Sequence, residues 1–197
     1  IYKMPTITIK RTKNVRKRKY TKSTAPNLNA TLLKRTKTGI LTFPSVNSVS
    51  LVFDSPNRHV RDLLETVPFV QACVCWITSP VLLKALKTRR GVSLIISRGK
   101  MAARRKPFYR TLKAIDSAKG AVRAIGSEGK NHSLCHHKFA IGLDARKKPV
   151  FLITGSFNWS AQGEKNIENV MVFRDPAFIK AWQAEFNLLW TKSRKYI

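Results

Sequence analysis

From about Asn47 apolar residues recur in two periods that take turns along the chain. In VSLVF, Val49, Leu51 and Phe53 stand at alternate positions, the period of a strand. NRHVRDLLETV then places Val60, Leu63, Leu64 and Val67 on one helical face. FVQACVCWIT is an apolar run of strand length. SPVLLKALKTRRG carries its own punctuation. Ser79 can accept a hydrogen bond from a first-turn amide, Pro80 suits the first helical position, and Gly91 closes the segment. GVSLIIS predicts a strand, KPFYRTLKAIDSAKG a helix with Phe108, Leu112 and Ile115 on one face, and AVRAIG a short strand. Further strands are expected around Leu134 to Leu143, Val150 to Thr154 and Ile167 to Phe173. The last helix opens at Asp175 and Pro176 and aligns Phe178, Trp182, Phe186, Leu189 and Trp190. Strands alternating with helices predict an α/β sandwich with a mixed, largely parallel central sheet flanked by helices.

Residues 1–46 lack either period. The first 40 hold 12 Lys and Arg and no acid. KRTKNVRKRKYTKST therefore predicts an extended basic arm, disordered unless bound to nucleic acid, ahead of a domain at 47–197. The whole chain sets 38 Lys and Arg against 10 Asp and Glu, a formal charge of +28. Such an excess opposes compaction unless a polyanion neutralises it, and nucleic acid is the expected partner, RNA ahead of DNA. Lys10, Arg11, Lys13, Arg16, Lys17, Arg18 and Lys19 in the arm are candidate phosphate contacts. Arg98, Lys100, Arg104, Arg105 and Lys106 form the best basic surface inside the domain. The longest apolar stretch, Val67 to Ile77, is broken by Gln71 and is too short to span a bilayer.

Three cysteines, Cys73, Cys75 and Cys135, do not make a disulfide framework, which fits a reducing compartment. With His132 or His137 they could hold zinc, but Cys-x-Cys on a buried strand reads as two small core residues. No metal and no cofactor are expected. A first residue other than Met fits removal of a targeting segment, and the mitochondrial matrix is the expected compartment.

The polar residues between 135 and 173 carry the chemistry. His136 and Lys138 stand two apart on a predicted strand and so share a face, while His137 points the other way. Ser156 and Asn158 form a second such pair just beyond a strand ending at Gly155, and Glu168 lies near the start of the next strand. Groups at the carboxyl ends of strands sit where open α/β sheets bind ligands. These residue types suit attack on a phosphodiester. A neutral His nitrogen can attack phosphorus, Lys and Asn can hold the charged oxygens, and a hydroxyl can add a donor. A carboxylate can fix the imidazole tautomer. Lys supplies the cation, so the scheme requires no metal.

HHKFAIGLD, TGSFNWS and NIENV together resemble the His-x-Lys, Asp, Gly-Ser-x-Asn and Glu-Asn signature of the phospholipase D superfamily. The single-motif nuclease branch, with mitochondrial (Zucchini-type) proteins and small bacterial endonucleases, is the nearest in pattern. The resemblance covers about residues 47 to 197. It implies that His136 is the nucleophile, that Lys138 and Asn158 bind phosphate, that Ser156 assists and that Glu168 orients His136. It also implies two His-x-Lys motifs per reaction. This chain has one, so an active form would be a two-fold homodimer. Asp144 departs from the pattern, standing eight residues after His136 where the family places seven. Either Gly142 absorbs the extra residue as a bulge or Asp144 is a hairpin turn residue.

Two functions fit these observations. One is a nucleic-acid phosphodiesterase (an endonuclease) acting through a phosphohistidine. The other is a catalytically idle structural subunit of an organellar ribosome, in contact with ribosomal RNA and neighbouring ribosomal proteins, because an acid-free arm on a basic body is typical of such subunits.

Overall fold

The computed structural model describes residues 40–42, 49–98, 107–118, 121–127 and 134–196, all within one body spanning 35–197. Chain order runs β1 (Ile40–Thr42), β2 (Val49–Val52), α1 (Pro56–Glu65), β3 (Phe69–Val74), α2 (Pro80–Lys87), β4 (Gly91–Ser97) and α3 (Pro107–Ala118). It continues with β5 (Ala121–Ile125), β6 (Lys138–Leu143), β7 (Pro149–Gly155), a 3-10 turn at Gly163–Lys165, β8 (Val170–Phe173), α4 (Pro176–Lys192) and β9 (Arg194–Lys195). The caps predicted from sequence form. Ser79 Oγ accepts from the Leu82 amide at 3.4 Å, and Asp175 Oδ1 accepts from the Phe178 amide at 2.7 Å.

The strands make one sheet in the order β1-β2-β8-β7-β6-β3-β4-β5-β9. It is mixed and flanked by helices, as the pattern predicts. The expectation of a largely parallel sheet is corrected. Only β3–β4 and β4–β5 pair in parallel, and the other described pairings are antiparallel. Parallel neighbours need a crossover, and α2 and α3 supply the two that exist. The connection from β6 to β7, by contrast, is a short turn at 144–148 that can only reverse the chain. β1 corrects the boundary at residue 46. It falls inside the segment assigned to the arm, yet it pairs with β2 from Ile40↔Val52 to Thr42↔Ser50.

Alternation along the strands builds two cores. Val70, Ala72 and Val74 of β3, Leu94 and Ile96 of β4, Val122 and Ala124 of β5 and Ala140 of β6 share one core with α1, α2 and α3. Cys73, Ile95, Phe139, Ile141 and Leu152 face the other way and pack on Ile179 and Phe186 of α4. The predicted face of α4 shifts slightly. Phe178 is 41% exposed at the helix edge, with its ring 4.5 Å from that of Phe173, and Ile179 takes the buried place.

A β-bulge settles the Asp144 question. Gly142 pairs with Phe151 and Leu143 with Pro149, so the extra residue is Val150 on β7, while β6 runs regularly against β3. Asp144 is a turn residue. Its Oδ1 accepts from the amides of Arg146 at 2.9 Å and Lys148 at 2.8 Å, and its own amide donates to the Lys148 carbonyl at 2.9 Å.

Candidate active site

The β3–β6 ladder runs one step beyond the named strands, where the Cys75 amide donates to the His137 carbonyl at 2.8 Å. His136 therefore lies in the extended segment ahead of β6, not on the strand as predicted. It keeps the predicted alternation all the same. His137 turns toward α4, with its ring 5.5 Å from Phe139 and 6.4 Å from Trp182, and its Nε2 is 3.8 Å from Glu185 Oε1. His136 is exposed at the mouth of the opposite face, and the edge of its ring meets Trp76 at 6.0 Å.

Lys138 is the one charged side chain buried among the described residues, at 8% exposure. Its Nζ donates to the His136 carbonyl at 2.6 Å. Burial lowers its pKa, opposed by Cys75, Glu168 and Cys135. An ammonium has three donors, so one bond to a carbonyl leaves capacity for an anionic ligand.

The second dyad sits on a rigid loop. Gly155 ends β7 with φ 150, and a Cβ there would fall 2.2 Å from the Asn169 carbonyl oxygen, so glycine is needed. This close approach clamps β7 to the segment before β8. The Ser156 amide donates to the Asn169 carbonyl at 3.2 Å and to its Oδ1 at 3.3 Å, and the Asn169 amide donates to Ser156 Oγ at 3.1 Å. Farther on, Trp159 is buried and its carbonyl accepts from the amides of Thr78 at 2.8 Å and Ser79 at 2.9 Å. That ties the loop to the start of α2. Between these anchors Asn158 Oδ1 is buried with no hydrogen-bond partner among the described residues, a state found most often where function requires it.

Glu168 departs from the role the resemblance implies. Ser156 Oγ donates to its Oε2, and Asn166 Nδ2 donates to Oε1 at 3.2 Å. Among the described residues no hydrogen bond joins Glu168 to the His136 ring, because Ser156 and Asn166 take the carboxylate first. Glu168 reaches Lys138 through its charge. The structure thus brings His136 to Lys138 by one bond and Ser156 to Glu168 by another.

Cys73 and Cys75 are core residues, as expected, and Cys73 Sγ lies 3.3 Å from Cys135 Sγ. Their hydrogen bond pulls the Cys135 thiol down to about 7 and pushes Cys73 up. Among the described residues no group of three metal-ligating side chains is assembled. Trp159 is core, and Trp182 and Trp190 pack against the α4 core, as expected. Trp76 was assigned to core or interface, yet it borders the site. Its place opposite His136 becomes visible only once β3 and β6 are known to pair. Of the predicted phosphate contacts, Arg98 is half-buried just after β4. Lys10, Arg11, Lys13, Arg16, Lys17, Arg18, Lys19, Lys100, Arg104, Arg105 and Lys106 lie outside the described residues. No described helix is long and apolar enough to cross a membrane.

Residues 69–190 match the family described as cardiolipin synthase, PLD-like domain. The chain is 34% identical to a mitochondrial cardiolipin hydrolase of Xenopus tropicalis over 139 residues, which is 68% of this chain and 60% of that protein. Its fold is similar to NucT from Helicobacter pylori, with a TM-score of 0.62 at 17% identity, covering 75% of this chain and 98% of that one. It is also similar to the phospholipase D family member Nuc from Salmonella typhimurium, with a TM-score of 0.60 at 20% identity and the same coverage.

Proposed function

The chain belongs to the PLD-like domain family, and from that premise we propose that it is a phosphodiesterase that cuts nucleic acid, RNA ahead of DNA, through a phosphohistidine. One observation carries this reading. The exposed His136 stands beside a buried ammonium whose other donors are unspent.

In this scheme a neutral nitrogen of His136 attacks phosphorus, and a P–N bond forms as the P–O bond to the leaving strand breaks. Lys138 and Asn158 hold the non-bridging oxygens as charge builds. Glu168 fixes the Ser156 hydroxyl, and through it the loop that carries Asn158. The leaving oxygen takes a proton from a second His-x-Lys motif. Water then attacks the phosphohistidine and frees the phosphate end. The second motif belongs to another copy of the chain, since this sequence has one. Ile167, wholly exposed and adjacent to Glu168, supports a partner covering this edge.

The +28 charge favours a polyphosphate substrate. The cardiolipin hydrolase relative favours a lipid phosphodiester instead, with the same attack by His136. The relative's name also supports a mitochondrial location. Acid-quenching turnover of internally labelled RNA, DNA and cardiolipin in parallel tests the reading. Label retained on a peptide containing His136, and only with nucleic acid, supports it. Label transferred only from cardiolipin transfers the chemistry to lipid. Tight RNA binding with no transfer returns the idle structural subunit.

A further inference from the structure

A second cluster of cations stands at the same end of the sheet as His136 and Lys138. Arg98, Lys192 and Arg194 wall a cavity of about 390 Å³, floored by Ala124, Ile125, Gly126 and Ser127. No acidic residue lines it, and none of the three cations joins a salt bridge among the described residues. An uncompensated cluster of this kind attracts a phosphate group, and Arg offers it a two-pronged donor.

Strand register relates the cavity to the site. Lys138 pairs with Val74, Val74 with Ile96, Ile96 with Ala124, and Ala124 with Arg194. Residues in one such row project from the same face of the sheet. Lys138 and Arg194 therefore share a face across four strand spacings, about 19 Å at ~4.8 Å each. Between them the row is the apolar Val74, Ile96 and Ala124, all core. The two ends are the cationic positions. A small anion would fill one end only, whereas a polynucleotide carries phosphates at intervals that reach both.

We infer that the Arg98–Lys192–Arg194 cavity binds a backbone phosphate of the same strand whose scissile phosphate lies at His136 and Lys138. This rests on nucleic acid being the ligand, but not on its being cut. The cavity sets how far the strand extends along the sheet end. Lys192 and Arg194 come from the close of α4 and from β9, which the charge pattern along the sequence does not single out.

The test is equilibrium binding of a labelled 20-nucleotide single strand to the full chain across a salt series. Lys192→Ala/Arg194→Ala should lower the slope of log K against log salt by about 1.4, from about 0.7 per lost phosphate contact. Lys192→Arg/Arg194→Lys should restore it. Lys84→Ala/Lys87→Ala removes the same charge from exposed sites on α2 and should leave the slope unchanged. Equal slope losses in both alanine pairs would overturn the inference, because they would report bulk charge alone. Amide shifts of Gly126, Ser127 and Arg194 distinguish the source of the phosphate. Shifts on adding the oligonucleotide support the inference. Shifts with inorganic phosphate but not with the oligonucleotide make this a free-anion site and overturn it. Cleavage is not read in any arm. A protein that binds without cutting would contradict the proposed function and leave this inference standing, and a protein that binds no strand at all would contradict both.

Discussion

The Lys138 ammonium donates to the backbone carbonyl of His136 at 2.6 Å, so the buried cation is fixed by the residue that carries the nucleophile. Lys138→Met keeps the side-chain length and removes the charge. Cleavage should fall about 10²–10³-fold, the range for losing one oxyanion donor. Stability should hold or rise at neutral pH, since burial disfavours the charge. Burial lowers the Lys138 pKa from its ordinary value of 10.5, so over that window the unfolded chain holds this proton more tightly than the native one. Below the window the destabilising contribution is present in full. It fades as pH rises through the depressed value toward 10.5. Denaturant titrations from neutral to alkaline pH should show wild type gaining stability relative to Lys138→Met. A parallel course for the two proteins would remove the buried cation from the account.

Ser156 and Glu168 act as one unit through their hydrogen bond. Ser156→Ala and Glu168→Gln should each lower kcat/KM, and the double variant should lose less than the sum. A coupling of about 0.5–3 kcal/mol is expected for residues in one network. Losses that add would show that Glu168 works through another group.

Glycines at two places in β6 and β7 should fail differently. Gly155→Ala meets the Asn169 carbonyl at 2.2 Å at positive φ, so it should lower both melting temperature and cleavage, with about 1–3 kcal/mol from backbone strain alone. Gly142→Ala meets the Phe151 ring at 2.3 Å, away from the site. It should lower melting temperature while kcat of the folded fraction stays intact, and Phe151→Leu should restore part of the loss by making room. A Gly155→Ala protein with full activity would detach the clamp from catalysis.

Ile167→Glu places a charge on the exposed position beside Glu168. Sedimentation should show a dimer for wild type and a monomer for the variant, with cleavage lost together with the dimer. A variant that cuts as a monomer would contradict the shared site.

Much of this was legible in the residues. Ser79 and Asp175 marked their helices because a cap is local, needing one side chain and an amide three residues on. His137 was assigned to the far face by alternation alone, and Phe139 and Trp182 confirm it. Strand direction was not legible. The apolar run of β3 looks the same beside parallel β4 and antiparallel β6. The short strand at Arg194–Lys195 carries no apolar pattern, since its pairing with β5 is made by backbone atoms. Trp76 met His136, and Glu168 met Ser156, through contacts between distant segments. Spacing along the chain does not encode them. The motif gave the site its members, and the fold assigned their partners.

The most direct test of the central claim is cleavage of end-labelled single-stranded RNA and DNA by the purified chain in EDTA, beside His136→Ala. The account predicts cutting that survives EDTA in wild type and disappears in the variant. Cutting that persists in His136→Ala, or none in wild type while the strand stays tightly bound, would contradict it.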